Sequence, residues 1–463
     1  MSELYVPESL KLGASFSSSK INRLKIIPNT GGGPYGPNSI IRFALPSRSI
    51  LRLSSVSIVA DLTISNLIAS NTATDVVNAM LPYTQKLVSR CNWICNGISL
   101  NTSNHYDQVA VQLAKLSASE NWCKTRVSQG ALDLIQHTDD AAETAARTLN
   151  AFVHASAKTT GQTKVSQIVI DDMLGFCRGN AGHSIVDCGI FGDLQLEVTL
   201  NSDPLKIFGG STSSAAERAA VTYSLSNVSL QIDSIVSISN DYLQMMSLRL
   251  QKDSRPINYA FQNFNCQIQQ HGGTGTVRQT VSTNCLDIVM CAPLGQNYAV
   301  RASQSATNVN PPRYTYDSGR THANQNQTQI QFNIGSTQYP QYQLTAFEAL
   351  DVSHNCYGVN DRYANNLLCY GTEAYSDYEA GSFIGRSEYL SNNAIFAMAL
   401  SNESEGWASQ SRILSGISTN NQNSEIVWQL TNWGTASGFL CTTALYTSVL
   451  QYDPASATVQ LIQ

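Results

Sequence analysis

The main regular pattern along this chain is an alternation of apolar and polar residues. It is clearest in residues 56–64, 194–200 and 330–334, where every second position is apolar. A period of two is typical of strands that turn one face to a core and the other outward. Because these runs lie in both halves of the chain, the pattern predicts a large antiparallel β-protein.

Other stretches extend this pattern and interrupt it with helical spacing. Further strands are predicted in both halves, at residues 40–45, 51–65, 164–170, 223–233, 257–269, 284–291, 329–334, 394–400, 426–430 and 438–452. Residues 106–121 have helical spacing, which places Val109, Leu113 and Leu116 on one face. Shorter helices are predicted at 139–150, 237–253, 344–352 and 361–368.

The spacing of these elements restricts the architecture. A propeller would show a repeat of roughly 40 to 50 residues, and a parallel sheet would need helices between most strands. Neither pattern is seen, and the two halves have similar length and the same plan. The chain is therefore predicted to be all-β with short helical insertions, and Greek-key or jelly-roll sandwiches fit best.

The composition describes a surface that is polar but carries few charges. Charged residues make up 13% of the 463 residues, against about 25% in ordinary soluble domains. Desolvating amides and hydroxyls costs less than desolvating charges, so such a surface favours packing against other copies. The net charge is −5 and no Lys/Arg-rich run occurs, which argues against direct nucleic-acid binding.

The eleven cysteines are odd in number and irregularly spaced. The start, Met-Ser-Glu-Leu-Tyr-Val-Pro, lacks the pattern of a signal peptide, and no apolar run approaches the roughly 20 residues that span a bilayer. We therefore expect reduced, mostly buried thiols in a cytosolic or nuclear compartment. Cys91 and Cys95 form the one close pair, and no second pair completes a zinc site.

Two groupings could carry catalytic chemistry. His183 lies five residues before Cys188, but a Cys–His pair is positioned by the fold and this segment has no family signature. Carboxylates are adjacent at 139–140 and at 171–172. The first pair precedes an Ala-rich stretch, where it would favour a helix start, and the second follows a strand. Neighbours on a strand point to opposite faces, so neither pair is predicted to share a proton.

Two glycine-rich segments could cradle phosphate. Residues 28–37 lead into a strand, although a phosphate loop requires a helix at that point. Residues 272–276 lack the Lys-Ser/Thr ending and are predicted to be a surface loop. We therefore predict no enzyme and no catalytic, cofactor-binding or metal-binding residues. The 20 tyrosines suit either protein interfaces or a carbohydrate-binding face, and the sequence leaves both open.

Several stretches resemble the major capsid proteins of the double-jelly-roll lineage of eukaryotic DNA viruses, in particular those of polinton-like viruses and adintoviruses. The similarity lies in residues 37–46, 192–201, 225–233, 331–342 and 444–452. It consists of strand patterns in a fixed order and covers most of the chain thinly. The family fold implied is two tandem eight-stranded jelly-roll sandwiches, here at 25–236 and 255–463, with an N-terminal arm at 1–24 and a helical connector at 237–254.

The resemblance also implies a function. The chain would form homotrimeric, pseudo-hexagonal capsomers that tile an icosahedral shell, and it would be located in the virion after assembly in the host cytoplasm or nucleus. Its partners would be neighbouring capsomers and minor capsid or penton proteins, with the arm facing inward, toward an internal membrane or a minor protein. The alternative is a carbohydrate-binding jelly-roll lectin or adhesin, and a β-sandwich hydrolase ranks third.

Overall fold

The computed structural model describes residues 20–47, 49–65, 84–117, 162–178, 184–204, 222–235, 256–295, 298, 316, 327–356, 394–400, 416–420, 425–435 and 437–463. In the first half these residues form nine strands: β1 (Ile21–Ile26), β2 (Ile40–Ala44), β3 (Ile50–Ser65), β4 (Val88–Cys95), β5 (Ile98–Ser99), β6 (Gln162–Ile170), β7 (Ile185–Asp187), β8 (Leu194–Leu200) and β9 (Thr222–Ile235). The helical elements there are α1 (Tyr106–Ser117), the short α2 (Cys188–Phe191) and 3-10 helices at Thr84–Leu87 and Gly175–Cys177.

The second half has the same plan. Its described strands are β10 (Ile257–His271), β11 (Gly275–Thr280), β12 (Leu286–Leu294), β13 (Gln329–Ile334), β14 (Thr337–Thr345), β15 (Phe396–Ala399), β16 (Glu425–Thr431), β17 (Gly438–Asp453) and β18 (Thr458–Ile462). Helix α3 (Ala346–Cys356) follows β14 directly. Its start is capped by Thr345, whose backbone N–H and hydroxyl both donate to the Glu348 carboxylate at 2.8 and 2.9 Å.

The strand order is the same in the two halves. The sheets are A (β1-β9-β3-β6), B (β2-β8-β4-β5), C (β10-β17-β12-β15) and D (β11-β16-β13-β14), all antiparallel; β7 pairs with β3 and β18 with β17. If those two additional strands are set aside and each half is numbered 1 to 8, the orders are 1-8-3-6 and 2-7-4-5 in both halves. This is the order of an eight-stranded jelly roll, so the prediction of two tandem jelly rolls is confirmed.

Most of the predicted strands lie where the alternation placed them. The run at 194–200 matches β8, and those at 56–64 and 223–233 lie within β3 and β9. The helical face of Val109, Leu113 and Leu116 is buried in α1. The predicted helices at 139–150, 237–253 and 361–368 lie outside the described residues, as do residues 118–121 at the end of the helix predicted to start at Tyr106.

Some elements differ from the predictions. Strand β1 begins at Ile21, inside the stretch assigned to the arm, because residues 21–26 pair with β9. The predicted helix at 344–352 starts two residues late, because Leu344 and Thr345 pair with β13. In the glycine-rich segment at 272–276, Gly275 and Thr276 already belong to β11.

Two cores hold the described strands together. One lies between sheets C and D of the second roll and contains Trp428, Phe332 and Trp433. The other fills the first roll, around Trp93 and Phe43, and continues without a break into residues of β10, β12 and β17. The first roll therefore shares its core with one face of sheet C.

Candidate functional site: the seam between the two jelly rolls

Sheet C is buried on both faces. All nine residues of β12 are buried; Ile288, Met290 and Ala292 belong to the core shared with the first roll, whereas Val289 and Cys291 belong to the core of the second. A strand that is buried on both sides has a continuous apolar run where a half-buried strand would alternate. We call the contact between sheet C and the first roll the seam.

The apolar part of the seam is an aromatic cluster around Phe176, which the 3-10 helix Gly175–Cys177 presents to β10. The ring centroid of Phe176 lies 4.9 Å from that of Tyr259 and 5.1 Å from that of Phe261, both edge to face, and 5.8 Å from that of Trp93. The Tyr259 hydroxyl donates to the Phe176 carbonyl at 3.1 Å. Aromatic pairs in this geometry add to the area they bury, so the cluster fixes the two rolls against each other.

Helix α1 supplies the polar part of the seam. The Gln112 side chain is fully buried, donates from Nε2 to Cys441 Sγ at 3.2 Å and accepts from Thr443 Oγ1 at 3.1 Å. One turn earlier, Gln108 Oε1 accepts from the Tyr316 hydroxyl at 3.2 Å. Satisfied polar groups in a buried interface fix its register, because any shift would leave them unpaired.

The first roll also covers the outer edge of β10. The Gln262 N–H donates to the Arg178 carbonyl at 3.1 Å, and the Cys266 N–H donates to Ser103 Oγ at 3.0 Å. Between them, the Phe264 N–H is bound by the Asn263 side chain, which itself donates to the Leu100 carbonyl. An open strand edge invites pairing with other chains, and here the first roll closes it.

Buried thiols line the seam without forming a reactive centre. Cys266 and Cys441 lie on neighbouring strands with their sulfurs 3.5 Å apart. The hydrogen bond to Cys441 and burial raise the pKa of Cys266 well above its usual range. Thiols with raised pKa stay protonated and are poor nucleophiles. All nine cysteines within the described residues are buried, as predicted.

The residues singled out by sequence are dispersed. Cys188 is buried, and burial raises its pKa to about 12, while His183 and the pair at 139–140 lie outside the described residues. Cys91 and Cys95 are buried on β4, and the described residues contain no group of three or more potential metal ligands. No described helix is long and apolar enough to cross a membrane.

The carboxylate pair at 171–172 contributes to the seam. β6 ends at Ile170, and Asp172 adopts a left-handed backbone conformation with a φ of 52°. Its carboxylate forms an ion pair with Arg178 at 2.9 Å, and the Arg178 carbonyl accepts from β10. The bond from Gln85 Nε2 to the Asp171 carbonyl, at 2.8 Å, holds the preceding residue. The pair therefore shapes a loop beside the seam.

Comparisons with known proteins bear on the fold. No family model and no curated protein matches the sequence. Solved structures do match. A chain of the PBCV-1 virus capsid is 10% identical with a TM-score of 0.55, covering 96% of this chain and 97% of its own. A chain of the Sputnik virophage is 12% identical with a TM-score of 0.55. The match covers 96% of this chain and 88% of the Sputnik chain.

The Faustovirus major capsid protein is also similar in structure, with 9% identity and a TM-score of 0.52, covering 97% of this chain and 92% of its own. At such low identity the likeness establishes the fold. The coverage extends over both jelly rolls and is close to complete on each side. This chain therefore has the double-jelly-roll fold that its sequence resemblance implied.

Proposed function

We propose that this chain is a structural major capsid protein that trimerises into pseudo-hexagonal capsomers and tiles an icosahedral virion shell. The observation that carries the proposal is the match, over 96–97% of the chain, to the structures of the PBCV-1 virus capsid and the Faustovirus major capsid protein. The seam supports it, because two rolls held in a fixed orientation make a rigid building block.

Partners and location follow from the same proposal. The chain is located in the virion and contacts two further copies of itself, neighbouring capsomers and minor capsid or penton proteins, while the N-terminal arm faces inward toward a membrane or a minor protein. As part of this proposal the arm ends before β1 begins at Ile21, and the division into a first roll up to residue 236, a connector (237–254) and a second roll (255–463) is kept. The chain does not bind nucleic acid sequence-specifically and has no enzymatic activity.

The lectin alternative is not supported. A glycan-binding face needs exposed aromatic rings, but Trp93, Trp428 and Trp433 are buried core residues. Tyr342 on β14 is exposed, but one exposed ring does not form such a face. The three solved structures compared above are viral.

The test is the assembly state of the purified chain. Sedimentation velocity over a dilution series should show trimers, and negative-stain electron microscopy should show particles with a hexagonal outline or closed shells. The polar surface with few charges predicts assembly without added nucleic acid. Nuclease treatment should therefore leave the particles intact. A chain that stays monomeric at every concentration would contradict the proposal.

A further inference from the structure

Sheets A and C occupy equivalent positions in the two rolls, but their outer faces differ in burial. The seam covers the outer face of sheet C, so that β12 is buried throughout. On sheet A, β1 is the counterpart of β10, yet Ile21, Arg23 and Lys25 are exposed on one side of it. No described strand or loop bonds to the free edge of β1. Within the described residues, the outer side of β1 therefore lacks the cover that the first roll gives to β10.

The exposed face of sheet A is basic. Arg23 lies opposite Asp233 on β9, which in turn lies opposite Arg52 on β3, so the three side chains share one face. Lys25, two residues after Arg23, adds a further cation to this face, and Arg52 is exposed. This face thus carries three cations and one carboxylate, that of Asp233. We call Arg23, Lys25 and Arg52 the basic face.

The second roll contains a helix with the opposite charge at the position equivalent to α1. Both α1 and α3 connect the fifth and sixth strands of their rolls, since β5 precedes α1 and β14 precedes α3. Helix α1 uses Gln112 to contact sheet C. Helix α3 instead exposes Glu348 and Asp351. An acidic helix is the complement of the basic face.

We propose that the basic face of one subunit receives helix α3 of a second copy of this chain, so that the contact between subunits repeats the arrangement of the seam. This inference rests on the proposed trimer and names the surfaces that build it. The contact is head to tail, from the second roll of one copy to the first roll of the next, and it gives a closed trimer when three successive copies complete a full turn. Helix α1 contacts the second roll through the uncharged side chains of Gln108 and Gln112, whereas charge can set partner choice and association rate between separate subunits.

Chemical cross-linking of the unmodified protein tests the contact directly. A carbodiimide joins amines to carboxylates only when they touch, and mixed heavy-isotope and unlabelled subunits distinguish links between chains from links within one. We expect links between chains from Lys25 to Asp351 or Glu348 in the trimer fraction and none in the dissociated protein. A stable trimer in which Lys25 links to other carboxylates, or to none, would overturn the inference and leave the proposed trimer standing.

Charge reversal provides a second readout. Lys25→Glu and Asp351→Lys should each raise the concentration at which half the trimer dissociates by about tenfold or more at low salt, because each places like charges together. The two substitutions together should restore assembly to within about threefold of the unmodified chain. Asp193→Lys, the reversal of an exposed charge just before β8, is the matched control and should change it by less than about threefold.

These outcomes separate the two proposals. If both single variants assemble like the unmodified chain, the basic face is not the contact, whereas the trimer itself is unaffected by that result. If the unmodified chain never forms trimers, the proposed function fails and this inference fails with it. Circular dichroism of each variant shows that lost assembly does not come from lost folding.

Discussion

Sheets A and C have the same strand order, but the environments of their outer faces are opposite. Sheet C lies between two cores, and its edge strand β10 is closed by bonds from the first roll. Sheet A has one core and an outer face with exposed cations. Topology alone therefore does not determine which surfaces of a duplicated fold are buried. What differs is the neighbour: among the described residues, sheet C packs against the other roll, and β1 of sheet A has no such neighbour.

The largest expected effect comes from breaking the covered side. Phe176→Ala removes the ring that contacts Tyr259 and Phe261 across the seam, and it should lower the free energy of unfolding by about 3–5 kcal/mol. Because the ring serves both rolls, hydrogen exchange should speed up in β10 as well as in the 3-10 helix Gly175–Cys177. Urea unfolding and exchange mass spectrometry measure the two effects.

A matched control is Phe332→Ala, which empties a similar volume inside the second roll, beside Trp428 and Tyr339. Its loss of stability should be comparable, but faster exchange should stay within sheets C and D. If Phe176→Ala increased hydrogen exchange only in the first roll and left β10 unchanged, the seam would not couple the two rolls.

An intermediate effect is expected from the polar part of the seam. Gln112→Leu keeps the side-chain size but leaves the buried Thr443 hydroxyl without the amide oxygen to which it donates. The expected loss is about 1–3 kcal/mol in the free energy of unfolding, measured by urea titration. Gln460→Leu is the matched control: Gln460 is exposed on β18 and bonds to Gln451, so water can replace that bond and the change should stay within about 0.5 kcal/mol. Equal losses in the two variants would mean that burial does not strengthen the seam bonds.

Sequence predicted strands with a long, clear pattern and missed several that are short, irregular or at an exposed edge. Strand β8 alternates cleanly and was predicted with its observed bounds. Strand β4 was missed because a register shift between Val88 and Arg90 breaks its alternation. Strand β14 was missed because it is an exposed edge with mostly polar residues, so its pairing to β13 leaves no apolar period in the sequence.

The seam was not predicted, although one signal was present. Residues 284–291 were predicted as a strand, but the unbroken apolar run at 288–294 within β12 also indicates burial on both faces, as in sheets covered from both sides. Gln112 gave no signal, because a glutamine on a helix is ordinarily exposed. Its role depends on Cys441 and Thr443, more than three hundred residues away along the chain, and only the fold brings them together.

The smallest expected effect concerns sheets B and D, which carry corresponding ion pairs. Each roll has an ion pair between its second and seventh strands: Arg42–Glu197 at 2.7 Å and Arg278–Glu425 at 3.0 Å. Double-mutant cycles with alanine should give a coupling energy of about 0–1 kcal/mol for each pair, decreasing in 1 M salt. The first pair should couple more strongly, because the Glu197 side chain is 16% exposed and that of Glu425 is 42% exposed. The reverse order would show that burial of the carboxylate does not set the strength of these pairs, and burial would then be a poor guide to the difference between sheets A and C as well.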